Sequence, residues 1–168
     1  MTLILVGNAA IAADRYLLNP GDILDVSVWK ETTLVKTVIV LPDGMISFPL
    51  AGEILAEGKS VTELQLALKK KLTEFLSDPL VTIVVSSVSG NTVHVLGKIS
   101  NPGSFVMNRR FNVMQALSMA GGLSPYAEEN NISVIRGDKV IHVRYADIKG
   151  GDVSSNIKLK SGDVIVVP

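Results

Sequence analysis

Hydrophobic and polar residues alternate with a two-residue period in several stretches of the chain, a pattern that predicts β-strands. The first such stretch follows a turn at residues 19–22. In it, Leu24, Val26 and Val28 fall on one face of an extended chain, and polar residues fall on the other. The pattern predicts a strand with one buried and one solvated face.

Two strand-like runs, residues 36–41 and 45–48, flank the pair Asp43-Gly44. Glycine accepts the positive φ angles of tight turns, and an aspartate side chain can bond the backbone that follows it. Pro42 disfavours helix at the residue before it. The sequence therefore predicts that the two runs pair with each other as a β-hairpin.

Apolar residues at three- and four-residue spacing predict a helix after residue 60. Ser60 and Glu63 have the spacing of a capping box, in which each side chain bonds the backbone N–H of the other residue. Residues 77–79 end the helix. Its predicted buried stripe consists of Val61, Leu64, Leu68, Leu72, Phe75 and Leu76.

A second set of elements follows a nearly apolar strand at residues 80–85 and a small, polar stretch at 86–91. Asn112 and Gln115 have capping-box spacing and predict another helix. The remaining predicted elements are a hairpin of residues 92–99 and 104–107, a hairpin of residues 132–136 and 139–145, and a strand at 164–167. This order predicts an α+β fold of two small modules, residues 14–90 and 91–168, the second of them β-grasp-like.

The composition indicates a globular chain, because 47% of the residues are hydrophobic. The formal net charge is zero. Dedicated nucleic-acid binders usually carry a basic excess, so we expect no nucleic-acid partner. Residues 91–168 are mildly basic, which fits either an acidic partner or chance scatter of surface charge. Cysteine is absent, which excludes disulfides, thiolate metal sites and cysteine nucleophiles.

Residues 1–13 resemble the end of a secretory signal peptide, since an apolar run at residues 3–6 precedes the small-x-small sequence Ala10-Ile11-Ala12. We interpret them as a signal-peptide remnant, which would place the mature chain outside the cytoplasm. An apolar N-terminal strand or arm is the alternative. No run approaches the roughly 20 apolar residues of a membrane-spanning helix.

The sequence contains no motif of a catalytic triad, a metal site, a phosphate-binding loop or a dinucleotide site. We therefore predict no enzymatic activity, no catalytic or metal-binding residue and no cofactor. His94 and His142 fall in predicted strands and are interpreted as structural or surface histidines. The loop at residues 128–131 is interpreted as solvated rather than cation-binding.

Arg109 and Arg110 are the candidate binding residues. They come just before the second predicted helix. Guanidinium groups bind carboxylates and phosphates through paired hydrogen bonds. We therefore predict that this pair contacts a glycan or a partner protein.

A series of short motifs follows the chain in a fixed order: Pro20-Gly21-Asp22, Pro42-Asp43-Gly44, Phe48-Pro49-Leu50-Ala51-Gly52, Asp78-Pro79, Val95-Leu96-Gly97-Lys98-Ile99, Pro102-Gly103, Ala120-Gly121-Gly122-Leu123 and Gly162-Asp163-Val164-Ile165-Val166-Val167-Pro168. In this order they resemble the polysaccharide biosynthesis/export family, the Wza-like outer-membrane polysaccharide export proteins. The resemblance covers residues 16–168.

The resemblance implies a polysaccharide export domain at residues 14–90 and an SLBB domain, a soluble-ligand-binding β-grasp domain, at residues 91–168. It implies a non-catalytic component of a capsular or exopolysaccharide export conduit, whose protomers form a ring that guides the glycan. The implied partners are the polysaccharide chain and an inner-membrane polysaccharide co-polymerase. The implied location is the periplasm, in association with the outer membrane of a Gram-negative bacterium.

Two features that such proteins often have do not occur in this sequence. One is a lipidated cysteine after the signal peptide, and the other is a C-terminal amphipathic helix that crosses the outer membrane. We therefore expect a short periplasmic form that depends on an outer-membrane partner such as a separate β-barrel. A monomeric periplasmic glycan-binding or sensing module is the alternative function.

Overall fold

Residues 15–168 are described by the structure, a computed structural model. They form an N-terminal domain with a three-stranded and a two-stranded sheet, followed by a C-terminal domain with a five-stranded sheet. Each domain has its own hydrophobic core. The predicted α+β fold of two small modules is confirmed. The signal-peptide interpretation of residues 1–13 lies outside the described residues. Among the helices within residues 15–168, none combines the length and the hydropathy needed to span a bilayer.

The N-terminal domain contains β1 (Ile23–Val28), β2 (Glu31–Ile39), β3 (Met45–Phe48), β4 (Gly52–Leu55), α1 (Val61–Leu72) and β5 (Val81–Ser87). Three of its strands form an antiparallel sheet in the order β2-β1-β5, with β1 in the middle. Leu24, Val26 and Val28 of β1 point into the core, as their alternation predicts. The other face of β1 carries Asp25 and Ser27.

The predicted hairpin between residues 36–41 and 45–48 is wrong, because the two runs belong to different sheets. The turn itself forms, since the Gly44 N–H donates to the Leu41 carbonyl at 2.8 Å. However, β2 pairs along its length with β1, and β3 pairs instead with β4. Leu50 adopts a φ of 63° between β3 and β4, so the hairpin turn lies one strand later than predicted.

The capping box of α1 forms as predicted. The Ser60 N–H donates to Glu63 Oε2 at 2.7 Å, and the Glu63 N–H donates to Ser60 Oγ at 3.3 Å. Of the predicted apolar stripe, Leu64, Leu68 and Leu72 are fully buried. The prediction for Phe75 is wrong: the helix ends at Leu72, and the Phe75 side chain is 58% exposed.

The C-terminal domain contains β6 (Thr92–Gly97), β7 (Gly103–Val106), α2 (Val113–Met119), β8 (Ile132–Arg136), β9 (Lys139–Val143), α3 (Tyr145–Lys149) and β10 (Val164–Val167). Its sheet has the order β7-β6-β10-β8-β9. The first and last strands, β6 and β10, are parallel neighbours at its centre. Helix α2 contributes Val113, Ala116 and Leu117 to the core. This is the β-grasp-like arrangement that the sequence predicts, except that Tyr145 begins a helix instead of ending a strand.

Candidate functional site

Two turns of the same geometry meet where the domains join. In each turn a buried aspartate accepts a hydrogen bond from the backbone N–H three residues earlier: Asn19 to Asp22 at 2.9 Å, and Lys160 to Asp163 at 2.8 Å. Both carboxylates have no exposed surface. In both turns the residue before the aspartate is a glycine with positive φ. The two turns therefore form rigid ends for the strands that follow them.

Gly90 links the two turns. Its N–H donates to Asp22 Oδ1 at 3.0 Å, and its carbonyl accepts from Ser161 Oγ at 3.0 Å. A Cβ atom added at Gly90 would lie 2.2 Å from the Pro20 carbonyl oxygen. A residue without a side chain is therefore needed for this close approach of the linker to the N-terminal turn.

Replacing Gly90 with alanine should force the linker away from Pro20 and weaken the junction between the domains. The expected loss of stability is about 1–3 kcal/mol, the usual cost of inserting a carbon atom into a packed site. Calorimetry on the purified protein would measure the loss, and small-angle X-ray scattering would detect a changed arrangement of the domains. Gly103→Ala is the matched control, because a Cβ atom there meets no atom of residues 15–168 within 4 Å. Equal stability and equal scattering curves for Gly90→Ala and Gly103→Ala would contradict the prediction.

Each buried aspartate also accepts hydrogen bonds from the side chain of one other residue. The Tyr16 hydroxyl donates to Asp22 Oδ2 at 2.6 Å. Burial, and then this hydrogen bond, raises the pKa of Tyr16 well above its ordinary value, so the hydroxyl keeps its proton. Arg136 donates from Nε and Nη2 to the two oxygens of Asp163, at 2.8 and 2.7 Å. The hydrogen bonds to Asp163 raise the pKa of Arg136.

A groove of about 980 Å³ lies beside this junction, between the two domains. No acidic residue of the described part of the chain lines it, although the whole sequence has 16 acidic and 16 basic residues. The groove therefore concentrates positive charge on a chain of zero net charge. Its cationic lining residues are Arg15, Arg109, Arg110, Arg136, Lys158 and Lys160.

Two segments of the C-terminal domain, residues 107–110 and 157–161, form much of the wall of the groove. They run side by side, and the Leu159 N–H donates to the Phe111 carbonyl at 2.8 Å. The Arg109 guanidinium carbon lies 5.4 Å from the centre of the Phe111 ring, within the range of a cation–π interaction. The structure thus places both candidate arginines, Arg109 and Arg110, on the groove.

The other cations of the groove were not predicted from the sequence. Lys158 and Lys160 lie far along the chain from Arg109, in a stretch without helix or strand periodicity. Arg15 belongs to the other domain. The only sequence signal was the mild basic excess of residues 91–168, which does not say which of its charges share a surface.

The two histidines lie on the C-terminal sheet and each faces a serine of the adjacent strand. His94 Nδ1 is 2.7 Å from Ser104 Oγ, and His142 Nδ1 is 3.4 Å from Ser133 Oγ. Within residues 15–168, no three His, Cys, Asp or Glu side chains lie close enough together to hold a metal ion. The basic groove is therefore the candidate functional site of the described chain.

Two family models match the chain, one on each domain. The model described as "Polysaccharide biosynthesis/export protein" matches residues 10–86. The model described as "SLBB domain" matches residues 91–167. Together they leave only a short linker and the two ends of the chain unmatched.

Several curated relatives are similar along most of this chain. The EPS I polysaccharide export outer membrane protein EpsA of Ralstonia nicotianae is 27% identical over 96% of the chain and 49% of its own length. The capsule polysaccharide export outer membrane protein CtrA of Neisseria meningitidis is 23% identical over 89% of the chain and 43% of its own length. The polysialic acid transport protein KpsD of Escherichia coli is 28% identical over 90% of the chain and 28% of its own length. The chain thus spans about half the length, or less, of these relatives.

Proposed function

Because the chain belongs to the polysaccharide biosynthesis/export family and carries an export domain followed by an SLBB domain, we propose that it is a non-catalytic component of a conduit that exports a capsular or extracellular polysaccharide. The observation that carries the proposal is the match of both domains, in this order, to relatives named as polysaccharide export outer membrane proteins. By the same argument its cargo is a polysaccharide chain.

We propose that the protomers assemble into a ring whose inner wall guides the glycan. Support comes from the face of the N-terminal sheet that points away from its core. Val35 and Val84, on the two edge strands of that sheet, are 60% and 56% exposed. Apolar side chains, together with strand edges that pair with no other strand of residues 15–168, favour contact with another protein surface, here a second copy of the chain.

A guiding role needs no reacting group. The buried carboxylates of Asp22 and Asp163 accept hydrogen bonds that hold two turns together. The side chains of the two histidines form hydrogen bonds with serine hydroxyls on neighbouring strands. Glycoside hydrolysis, by contrast, depends on a pair of carboxyl groups that flank the scissile bond. The chemistry of the described residues therefore favours binding and guidance over catalysis.

The proposed location is the periplasm at the outer membrane of a Gram-negative bacterium, since the relatives are named as outer membrane proteins. An inner-membrane polysaccharide co-polymerase is the proposed partner on the side from which the glycan arrives. A separate outer-membrane β-barrel is the proposed partner on the side from which it leaves.

Light scattering over a concentration series tests the ring. We expect an assembly of several protomers, alone or with the periplasmic domain of the co-polymerase. Val84→Lys should dissociate this assembly, because it places a charge on the proposed contact face. Val153→Lys is the matched control, since Val153 is 81% exposed and belongs to the other domain. A monomer at every concentration, with and without the co-polymerase, would contradict the ring.

A second candidate function is a monomeric periplasmic module that binds or senses a glycan. The basic groove favours it, because a defined groove is not needed for passive guidance. The same light-scattering series separates the two functions, since only the conduit needs an assembly.

A further inference from the structure

We propose that the groove between the domains binds an anionic glycan through the carboxylates of its acidic sugars. The inference rests on the proposed function, which makes a polysaccharide the cargo. It adds the chemical class of that polysaccharide and the residues that recognise it.

The distribution of charge is the first argument. Six of the chain's 16 lysines and arginines line one groove, and no acidic residue of the described chain does. The charge of Arg136 is balanced by buried Asp163 behind the wall. Arg109, Lys158 and Lys160, by contrast, are exposed along the groove. A concave surface lined by one sign of charge raises the local concentration of ligands of the opposite sign.

The geometry of the walls is the second argument. Buried Leu159 separates exposed Lys158 from exposed Lys160, so both ammonium groups lie on the solvent side of one extended segment. Arg109 lies on the neighbouring segment, where the Phe111 ring supports its guanidinium group. Cations therefore approach the groove from two adjacent segments. A guanidinium group can hold a carboxylate through two parallel hydrogen bonds.

The size of the groove fits an oligosaccharide segment better than a single sugar. Its volume of about 980 Å³ is at the upper end of the roughly 300–1,000 Å³ that is usual for ligand pockets. Arg15, Tyr16 and Asn19 extend the lining onto the N-terminal domain. A ligand that fills the groove therefore contacts both domains across the junction at Gly90.

Exposed cations also fit a cargo that must be released again. Contacts between exposed charges are weak and are screened by salt. A chain with several carboxylates can exchange such contacts one at a time while it moves. An acidic segment of a partner protein would be recognised by the same charges, and the experiment below distinguishes it.

Isothermal titration calorimetry on the full chain tests the proposal with three probes: an oligogalacturonate, a maltooligosaccharide of equal length, and poly-glutamate. We expect saturable binding of the oligogalacturonate, weaker binding at higher salt, and no binding of the neutral maltooligosaccharide. In the double variant Arg109→Glu/Lys160→Glu, affinity for the oligogalacturonate should fall about tenfold or more, because charged hydrogen bonds are lost and like charges are introduced. Lys158→Glu/Lys160→Glu is a second variant, in case the first is unstable.

The matched control is Lys36→Glu/Lys139→Glu, which changes the net charge equally at exposed positions outside the groove. It should leave affinity within about twofold of wild type, since these positions lie beyond direct contact with the ligand. A flat titration with the oligogalacturonate, or equal affinity in wild type and both groove variants, would overturn the proposal. So would equal binding of the neutral glycan, or tighter binding of poly-glutamate, which would assign the groove to a protein partner.

Light scattering of the same samples separates this inference from the proposed function. An assembly that forms normally while the titration stays flat removes the acidic-glycan site and leaves the conduit intact. Saturable binding by a strict monomer removes the ring and leaves the groove as the site of a glycan-binding module.

Discussion

Replacing Gly97 with alanine is expected to destabilise the C-terminal domain by about 3–5 kcal/mol, the sum of a backbone collision and an unfavourable backbone conformation. Gly97 ends β6 with a φ of +97°. A Cβ atom there would lie 2.0 Å from the Val167 carbonyl oxygen and 2.8 Å from the Val167 carbonyl carbon. Both atoms belong to the backbone of β10, so no side-chain rotation relieves the contact.

The position of Gly97 makes this collision severe. Strands β6 and β10 are the parallel pair at the centre of the five-stranded sheet, and the Lys98 N–H donates to the same Val167 carbonyl at 2.8 Å. Moving β10 away would break this bond and open the core around Ile165 and Val167, which are almost fully buried. Pairing of β6 with β10 therefore requires a residue without a side chain at position 97.

Calorimetry is the measurement, and a melting temperature lower by more than about 10 °C is expected for a domain of this size. Gly103→Ala is the control, because Gly103 lies in the adjacent strand β7, lacks a positive φ and has open space around its Cβ position. A Gly97→Ala protein with the melting temperature of the wild type would contradict the prediction. It would show that β10 can move without loss of stability.

Replacing Asp163 with asparagine is expected to cost about 2–3 kcal/mol, at or just below the lower end of the roughly 3–5 kcal/mol for breaking a buried ion pair. The Asp163 side chain has no exposed surface and accepts three hydrogen bonds, two from Arg136 and one from the Lys160 N–H. Asparagine keeps the shape of the side chain but has one acceptor oxygen where aspartate has two. Its NH₂ group would face an N–H donor of Arg136 or Lys160 and could not accept the hydrogen bond. Since the Arg136 side chain is 27% exposed, water compensates part of the lost charge.

Denaturant unfolding monitored by circular dichroism would measure this loss. Asp78→Asn is the matched control, because Asp78 also pairs with a cation at 2.8 Å but its side chain is 81% exposed. Exposed ion pairs contribute little to stability, so the Asp78→Asn control should unfold at the same denaturant concentration as the wild type. Equal midpoints for Asp163→Asn and wild type would contradict a structural role for the buried carboxylate.

The sequence predicted the elements that depend on residues close together along the chain. Both capping boxes, Ser60 with Glu63 and Asn112 with Gln115, form as their spacing predicts. The strand faces follow their alternation, as in Leu24, Val26 and Val28. These features could be predicted because a cap or an alternating face is determined by neighbours within one helical turn or one strand.

Strand pairing was decided by the tertiary structure. The pattern at Asp43-Gly44 predicted a turn correctly but assigned the wrong partner to each flanking strand. A strand pairs with whichever edge buries its apolar face, and for β2 that edge is β1. This competition between edges involves the whole core, so it cannot be read from the turn alone.

In the candidate site, too, the sequence predicted some of the residues and the tertiary structure decided the others. The sequence singled out Arg109 and Arg110, because two adjacent guanidinium groups form a local pattern. The tertiary structure alone placed them beside Lys158, Lys160 and, across the domain junction, Arg15. Charges that are distant along the chain share a groove only after both domains have folded and the turns around Gly90 have fixed the domains against each other. The fold class was thus determined by short-range patterns, and the basic groove by long-range packing.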